Sequence, residues 1–323
     1  MSHERSIVIV TPALADANNG NWQTASRWQR MLAPRYRARI VRAWPDGDAA
    51  ARDDAMIALH AVRSLPSISK WAAQRGSQGL AVVLTGTDLY AAGGMDPLAR
   101  EAVGVAQRLV VLQERGRNAL PTGVQGKARV IFQSTTQRAT LAKTRSRLRA
   151  LMVGHLREVK SPQTLFEAAA LLHDERDIFI DHVGEALDPK LGALARSTGR
   201  RFPNYRWLGG LPHEDVRRRI QRAHVLVHAS RAEGGAHVIM EAVCCGTPVL
   251  ASSVDGNIGM LGAGYSGYFP HGDARRLAAL LVQCRDAAIF PRKLRTQCRA
   301  RAPLFAPAAE KASLERLAEE LLG

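Results

Sequence analysis

Two glutamates and a pair of glycines stand close together in the stretch SRAEGGAHVIMEAVCCGTPVLAS, residues 230–252. Glu233 and Glu241 are separated by seven residues, and Gly234 and Gly235 directly follow the first glutamate. A loop that ends a strand is expected to open a helix at the glycines, so their free backbone amides predict a diphosphate site. We expect Glu241 to lie slightly more than two turns along the same helix, where a carboxylate can accept hydrogen bonds from both hydroxyls of a ribose.

The elements that must position these residues alternate between short β-branched runs and helical patterns. Six strands are predicted in the first half, at 6–10, 38–44, 54–61, 80–87, 108–113 and 128–134. Five more are predicted in the second half, at 150–156, 177–184, 204–210, 223–230 and 247–254. This alternation predicts parallel sheets with crossover helices, whose ligands lie at the carboxyl ends of the strands. Residues 135–149 are polar and basic without a hydrophobic period, which predicts a connection between two such domains.

The charge of the chain favours anionic partners. Its 45 Lys and Arg residues outnumber its 29 Asp and Glu residues, giving a net charge of +16. The basic residues are scattered along helices and the aromatic residues, 5% of the chain, are not interleaved with them, so we do not predict nucleic-acid binding. No apolar run approaches the ~20 residues of a membrane helix, so no membrane partner is predicted. We interpret most of these charges as a solvated surface.

The cysteines and the first residues bear on the compartment of the protein. No pair among the four cysteines has CxxC spacing, and Cys244 and Cys245 are neighbours in an apolar stretch, where they are predicted to be core. Reduced thiols predict a cytoplasmic protein. Residues 1–17 have some features of a signal peptide, but Thr11 and Pro12 interrupt the apolar core, so we predict a strand that runs into a functional loop.

The stretch 230–252 resembles the retaining family-4 glycosyltransferases of the GT-B fold, which carry the pattern E-x7-E followed by a CGTPV turn. In that family the second glutamate, here Glu241, holds the nucleotide ribose and the first, here Glu233, contacts the donor sugar. The resemblance implies an α/β protein with two doubly wound Rossmann-like domains facing a cleft, and it implies no metal and no other cofactor. The implied segments are an acceptor domain at 1–147, a UDP-sugar donor domain at 148–303, and a C-terminal helix at 304–323 that packs back on the first domain.

A second match to that family lies in LMVGHLREVKSPQTLFEAA, residues 151–169. The family pattern is V-G-R-L followed by a lysine, and that arginine and lysine bind the donor diphosphate. Lys160 falls on the lysine position, His155 occupies the arginine position, and Arg157 follows two residues later. We expect Arg157 and Lys160 to neutralise the leaving diphosphate, with Glu233 as the third catalytic residue. His155 either shares this work or only orients the turn.

Other donor contacts follow from the same resemblance. The segment WLGGLPHEDV corresponds to a family segment that borders the uracil ring, through its backbone around Gly209 and Leu211. The amides at the helix start are expected to complete the donor site, and these are Gly234, Gly235, Ala236 and His237.

The acceptor is expected to bind to the first domain, at the ends of predicted strands. The candidates are Asn19, Gly20, Asn21 and Thr24 in the opening loop, His60 after the third strand, and Thr87 and Asp88 after the fourth. The loop side chains offer neutral hydrogen-bond donors and acceptors to hydroxyls and to a small oxyanion. No isolated carboxylate stands out as a general base, which fits an acceptor that is already an anion.

Over essentially the whole chain, the sequence resembles the selenosugar synthases of bacterial selenoneine biosynthesis. The residues that carry this resemblance are TPALADANNGNWQTASRW, RAWPDGD, LTGTDLY, VGHLREVK and SRAEGGAHVIMEA. It implies transfer of a sugar from a UDP-sugar, such as UDP-N-acetylglucosamine, to selenophosphate, with formation of a carbon–selenium bond and loss of the phosphoryl group. It also implies functional coupling to a selenophosphate synthetase. Family-4 membership suggests retention at the anomeric carbon, whereas direct attack by an anion would invert it, and both outcomes stay open.

Two other functions are compatible with these residues. One is a conventional family-4 transferase that acts on a hydroxyl of a glycan, a lipid or a small molecule. The other is a basic nucleic-acid-binding or sugar-sensing protein that keeps a nucleotide cleft without turnover. Release of UDP with selenophosphate indicates the selenosugar synthase, release with sugar alcohols indicates the conventional transferase, and release with neither indicates the binding protein.

Some residues that resemble functional groups are better explained structurally. DGD at 46–48 mimics the metal-binding DXD motif of the other glycosyltransferase fold, but it follows AWP and is predicted to be a turn. Three histidines within apolar runs are predicted to be satisfied core residues rather than ligands, and these are His182, His224 and His228.

Overall fold

The computed structural model describes residues 5–13, 20–90 and 94–323. They form two compact units: the first contains the described residues up to Ser134 together with Pro307–Gly323, and the second is Thr135–Ala306. Each unit contains one six-stranded parallel sheet with crossover helices, so the predicted pair of Rossmann-like domains is confirmed.

The sheet of the first unit has the strand order β2-β1-β3-β4-β5-β6. Its strands are β1 Ser6–Val10, β2 Arg37–Val41, β3 Ala55–Leu59, β4 Leu80–Leu84, β5 Arg108–Val111 and β6 Ala128–Val130. Every residue of β1, β3 and β4 is buried, because helices cover both faces of the sheet. These strands are therefore continuous apolar runs without alternating polar residues. The connecting helices are α1 Gly20–Leu32, α2 Leu65–Arg75 and α3 Pro97–Val105.

The sheet of the second unit has the order β12-β11-β10-β7-β8-β9. Its strands are β7 Leu148–Val153, β8 Ile178–Val183, β9 Tyr205–Trp207, β10 Val225–His228, β11 Val249–Ser252 and β12 Tyr268–Phe269. Its helices are α4 Gln163–Leu171, α5 Pro189–Arg201, α6 His213–Arg222, α7 His237–Cys244, α8 Asp255–Leu261, α9 Ala274–Asp286 and α10 Ile289–Arg301. The carboxyl ends of β7 and β10, which are paired neighbours, bring the loops after Val153 and His228 to one edge of the sheet.

The connection at 135–149 groups with the second unit, although the sequence placed the domain boundary at 147. Arg138 forms a two-point ion pair with Glu214 at 2.7 and 2.8 Å. The Gln221 side chain donates to the Ala139 carbonyl at 2.6 Å, and the Thr140 hydroxyl donates to the Cys245 carbonyl at 2.6 Å. These contacts tie the connection to α6 and α7, which the local sequence pattern does not reveal.

The last helix, α11 Pro307–Leu322, belongs to the first unit. Its Glu310 is buried and accepts hydrogen bonds from the Arg27 guanidinium at 2.8 and 3.0 Å and from Trp28 Nε1 at 2.7 Å. The same carboxylate accepts from the backbone N–H of Ser134 at 2.9 Å and from its hydroxyl at 2.5 Å. The apolar face of α11 joins the core cluster that contains Trp28. Within the described ranges, no helix is long and apolar enough to cross a membrane.

Candidate functional site

The two glutamates of the E-x7-E pattern lie on different elements. Glu233 stands in the loop after β10, and α7 begins four residues later, at His237. Gly234 and Gly235 precede Ala236, which is the N-cap residue of α7, and Glu241 lies within the helix. The helix was expected to open at the glycines with Glu241 slightly more than two turns along it, and this is wrong: the helix begins at His237, so Glu241 lies about one turn from its start. The helix start is nonetheless preceded by the predicted glycines.

Glu233 is held by a lysine and a histidine. Lys160 Nζ lies 2.6 Å and His228 Nε2 3.0 Å from the same oxygen, Glu233 Oε1. The Glu233 side chain is 10% exposed and that of Lys160 is 18% exposed. Burial by itself raises the pKa of Glu233, but Lys160 and His228 outweigh it and hold that pKa well below its ordinary range. Glu233 is therefore a carboxylate that stays ionised under all physiological conditions.

Lys160 reaches Glu233 from a short 3-10 turn, Glu158–Lys160, that follows β7. The backbone N–H of Arg231 donates to the Val159 carbonyl at 2.9 Å, so this turn and the loop that carries Glu233 are joined directly. Two segments 73 residues apart in the sequence thus form one polar site, as the two motifs predict.

The role of His228 was not predicted from the sequence. It is 1% exposed, and Ser230 Oγ also lies 3.2 Å from Nε2. Nδ1 is buried without a hydrogen-bond partner among the described residues, which assigns the proton to Nε2, from where it is donated to Glu233. The prediction of a satisfied core histidine is wrong for His228. Its position at the carboxyl end of a buried strand was the available signal.

The same prediction is confirmed for His182, whereas His224 is hydrogen-bonded but only half-buried, just before β10. His182 bonds to the Tyr205 hydroxyl and to the Gly154 carbonyl, both at 3.0 Å, and burial lowers its pKa to about 4. His224 accepts from the Arg149 N–H at 3.0 Å and bonds to the Thr144 carbonyl at 2.9 Å. The buried Cys244 and Cys245 also confirm the predicted core position.

Gly256, near the start of α8, allows the loop with Glu233 to pack closely. A β-carbon at this position would stand 2.1 Å from the Glu233 carbonyl oxygen and 2.7 Å from its Cβ. Asn257, the next residue, donates to the carbonyl and hydroxyl of Ser252 at 3.0 Å, and the Ser252 hydroxyl donates to the Ser230 carbonyl at 2.5 Å. The start of α8 thus supports the site, although no sequence motif singled it out.

Glu241 pairs with a histidine on the preceding helix. His213 Nε2 lies 2.7 Å from Glu241 Oε1, and the Glu241 side chain is 7% exposed while that of His213 is 72% exposed. The hydrogen bond to Glu241 raises the pKa of His213. Glu241 is therefore a nearly buried hydrogen-bond acceptor, and its partner His213 lies at the surface. Because His213 can move into solvent, a hydroxyl group of a ligand can take its place.

The other predicted donor residues have different partners among the described residues. His155 and Arg157 are exposed after β7, and His155 Nδ1 accepts from the Glu185 N–H at 3.1 Å. Burial lowers the pKa of His155. Gly209 has φ +68° and its carbonyl accepts from the Gly184 N–H at 2.8 Å, while Leu211 is half-buried just before α6.

Among the predicted acceptor residues of the first unit, Asn19 lies outside the described residues. Gly20 is the first residue of α1, so Asn21 and Thr24 lie on a helix rather than in the predicted loop. The Thr24 hydroxyl is buried, donates to the Gly20 carbonyl at 2.8 Å and accepts from the Gln133 side chain. This hydroxyl is therefore already engaged in hydrogen bonds with the first turn of α1 and with Gln133.

His60, Thr87 and Asp88 are brought together, as predicted from their strand ends. His60 follows β3 with φ +69°, a conformation that a residue with a side chain rarely adopts. Thr87 Oγ1 lies 3.3 Å from His60 Nε2, and Asp88 Oδ2 lies 3.7 Å from Nδ1. The buried Asp88 carboxylate accepts from three backbone N–H groups at 2.8 to 2.9 Å, those of Ala61, Thr85 and Gly86. Asp88 therefore fixes the backbone on both sides of the pair, at Ala61 next to His60 and at Thr85 and Gly86 next to Thr87.

The DGD segment at 46–48 forms a turn, as predicted. Gly47 has φ +105°, and Asp46 binds the Arg39 guanidinium through both carboxylate oxygens, at 2.5 and 2.8 Å. Within residues 5–13, 20–90 and 94–323, no group of three His, Cys, Asp or Glu side chains is placed to hold a metal ion.

Comparisons with known proteins agree with this architecture. A curated relative from Xenopus tropicalis, glycosyltransferase 1 domain-containing protein 1, is 29% identical over 108 residues, 33% of this chain and 31% of the relative. The matched stretch thus spans about a third of that relative's length. HepE from Anabaena, solved in complex with UDP-glucose, matches 97% of this chain and 98% of its own with a TM-score of 0.75 and 16% identity.

Sucrose-phosphate synthase from Thermosynechococcus elongatus matches 98% of this chain and 99% of its own, with a TM-score of 0.79 and 17% identity. At these identities the two solved structures show the fold, which is the GT-B arrangement of two Rossmann-like domains. The family model "Glycosyl transferases group 1" matches residues 133–302, which is more than half of the chain and contains Lys160, Glu233 and Glu241. The chain therefore belongs to the group 1 glycosyl transferases.

Proposed function

We propose that this glycosyltransferase moves a sugar from a UDP-sugar, such as UDP-N-acetylglucosamine, to selenophosphate, as a selenosugar synthase of selenoneine biosynthesis. In this proposal the second unit binds the donor and the first unit supplies the acceptor contacts. A selenophosphate synthetase supplies the acceptor.

The donor assignment is supported by the charges around Glu233 and Glu241. Lys160 is a cation whose position is set by Glu233, and Arg157 stands exposed on the same segment. Together they can offset the two negative charges of a diphosphate, while the amides at the start of α7 add hydrogen bonds. Glu241, once released from His213, can accept from the ribose hydroxyls. HepE, which shares the fold, has been solved with UDP-glucose.

The observation that carries the choice of an anionic acceptor is the hydrogen bonding of His60 and Asp88. Nδ1 of His60 accepts from the Arg63 N–H at 3.4 Å, which places the ring proton on Nε2, beside the Thr87 hydroxyl. Burial lowers the pKa of His60, so the ring is neutral at neutral pH. The Asp88 carboxylate is fully occupied by backbone N–H groups. These groups present a donor rather than a base, and a donor suits an oxyanion that has no proton to lose.

The proposed reaction needs charge compensation rather than proton transfer. Selenium of selenophosphate attacks the anomeric carbon, a carbon–selenium bond forms, and the bond from that carbon to the diphosphate oxygen breaks with its electron pair leaving on UDP. Lys160 and Arg157 offset that developing charge, and the ionised Glu233 accepts hydrogen bonds from the sugar. Water then adds to phosphorus and the selenium–phosphorus bond breaks, which yields phosphate and the 1-selenosugar.

The test is UDP release by the purified chain with UDP-N-acetylglucosamine and one of three acceptors: selenophosphate, inorganic phosphate and a sugar alcohol. We expect UDP release when the acceptor is selenophosphate and none when it is inorganic phosphate or the sugar alcohol. The product should have the mass of the selenosugar, and the variant Lys160→Ala should not form it. The anomeric coupling in the proton NMR spectrum of the product identifies retention or inversion. Turnover with the sugar alcohol but not with selenophosphate would overturn the proposal in favour of a conventional hydroxyl transferase. Binding without UDP release from any acceptor would point to a sensor.

A further inference from the structure

A cavity of about 300 Å³ lies in the second unit along α6, and Leu211, a predicted donor contact, lines it just before the start of that helix. Its floor is formed by β7 and β8, at Arg149–Leu151 and Asp181. Its wall is one stripe of α6, at Asp215, Arg218, Arg219 and Arg222, which stand at the three- and four-residue spacing of a single helix face. Four arginines and two aspartates thus line one small space.

The positive charges in this cavity are incompletely paired. Arg149 Nε is buried and has no hydrogen-bond partner among the described residues, and Arg149 Nη1 is 3.9 Å from Asp181 Oδ2. Asp181 is meanwhile bound by Arg206, whose Nε and Nη2 lie 2.9 and 2.8 Å from Oδ1. Within the part of the chain that the structure describes, Arg219 and Arg222 form no ion pair.

The cavity is separate from the Lys160–Glu233 site. That site follows the carboxyl ends of β7 and β10, whereas Arg149 stands at the start of β7 and Arg222 ends α6, immediately before β10. Arg149 and Arg222 therefore lie toward the edge of the sheet opposite to the Lys160–Glu233 site. Leu211 and Asp215, which also line the cavity, lie at the other end of it, around the start of α6.

We propose that this cavity is a second anion site that takes a small phosphorylated metabolite. A phosphate group presents several acceptor oxygens to guanidinium groups, which bind it with two parallel hydrogen bonds each. A site of this volume holds a phosphomonoester the size of a sugar phosphate. The floor residues on β7 and β8 are reached by such a molecule, whereas the backbone of a nucleic acid would contact only the exposed Arg218 and Arg222 at the rim. This inference does not depend on the acceptor proposed above.

The experiment is isothermal titration of glucose 6-phosphate into the full chain at fixed ionic strength, with inorganic phosphate and a duplex oligonucleotide titrated separately. We expect glucose 6-phosphate to bind, and the double variant R219Q/R222Q to weaken it by about tenfold or more for each arginine lost. The matched control is R292Q/R299Q, which removes two exposed arginines from α10 and should bind as the parent does. Lys160→Ala should also keep this binding.

Three results would overturn the inference. The first is no binding of glucose 6-phosphate or phosphate to the parent at millimolar concentrations. The second is loss of binding in Lys160→Ala but not in R219Q/R222Q, which would place the anion at the donor site. The third is equal loss in both double variants, or binding of the oligonucleotide alone, which would mean an unspecific basic surface. A thermal melt of each variant checks that the fold is intact.

Discussion

Replacing Lys160 by methionine removes one of the two partners that hold Glu233. Lys160 Nζ and His228 Nε2 lie 2.6 and 3.0 Å from one carboxylate oxygen, so the variant leaves His228 as the partner of that oxygen. Removing one member of a buried ion pair costs about 3–5 kcal/mol. Because Lys160 keeps 18% of its side-chain exposure and His228 remains, we expect a loss of about 2 kcal/mol in the free energy of unfolding at neutral pH.

The pH dependence of that loss follows from the pKa of Glu233. In the parent, Lys160 and His228 outweigh the effect of burial, so the pKa of Glu233 in the folded protein lies below its ordinary value of 4.5. The stabilisation is therefore present above pH 4.5, and it is lost only as pH falls through the lowered pKa of the folded protein. Without Lys160, burial pushes the pKa of Glu233 upward, at ~1.4 kcal/mol for each unit. The stability difference between parent and variant should therefore be largest at neutral pH and shrink as pH falls through the pKa that Glu233 has in the variant.

The assays are urea unfolding at neutral and acidic pH and steady-state UDP release. If Lys160 offsets the diphosphate charge, kcat should fall by about 10²–10³. Lys293→Met, an exposed lysine of α10 in the same unit, is the control and should change neither quantity. A pH-independent stability difference would refute the ion pair, and parental kcat would refute the diphosphate role.

Three further predictions concern the supports of each unit. Glu241→Ala should raise KM for the UDP-sugar by about tenfold with kcat unchanged. It should also lower the pKa of His213 in an NMR titration, because Glu241 is the group that raises it. In the parent, the raised pKa gives stability that is present below about 6.5 and lost as pH rises through the raised value. Gly256→Ala should lower both Tm and kcat because its Cβ meets the Glu233 carbonyl, whereas Gly264→Ala, with open space around it, should change neither. Glu310→Gln should lower the free energy of unfolding by about 2–4 kcal/mol in urea, and an unchanged midpoint would contradict the buried ion pair with α1.

Much of the fold was accessible from the sequence because each buried strand is a continuous apolar run. All eleven predicted strands are present; the first has the predicted bounds, and the other ten are shorter than predicted because the runs extend beyond the strand ends. The strand Tyr268–Phe269 was missed because two residues carry no periodic signal. The connection at 135–149 groups with the second unit through tertiary contacts of Arg138 and Thr140, which the polar composition of the segment does not reveal.

The site was only partly accessible, for a related reason. Lys160 and Glu233 each belong to a motif whose residue types and spacing are local, and the parallel pairing of β7 with β10 brings the two motifs to one edge. His228 lies in no quoted motif, and His213 lies in WLGGLPHEDV without a role predicted for it. The partners of both depend on where a loop and a helix are placed in three dimensions. Gly256 is recognisable only from the close approach of another backbone, which no single-sequence pattern records.

The ionised state of Glu233 restricts what this centre can do. A carboxylate whose pKa is held far below its ordinary range by Lys160 and His228 is a poor general base and cannot be a general acid. Its useful properties are its fixed charge, which positions Lys160, and its capacity to accept hydrogen bonds from a sugar. A centre of this kind contributes electrostatic positioning, so a general base, where an acceptor needs one, must come from a group other than Glu233. The same reasoning predicts that the pH profile of kcat shows no limb from Glu233 in the neutral and mildly acidic range, and a limb that disappears in Glu233→Gln would contradict it.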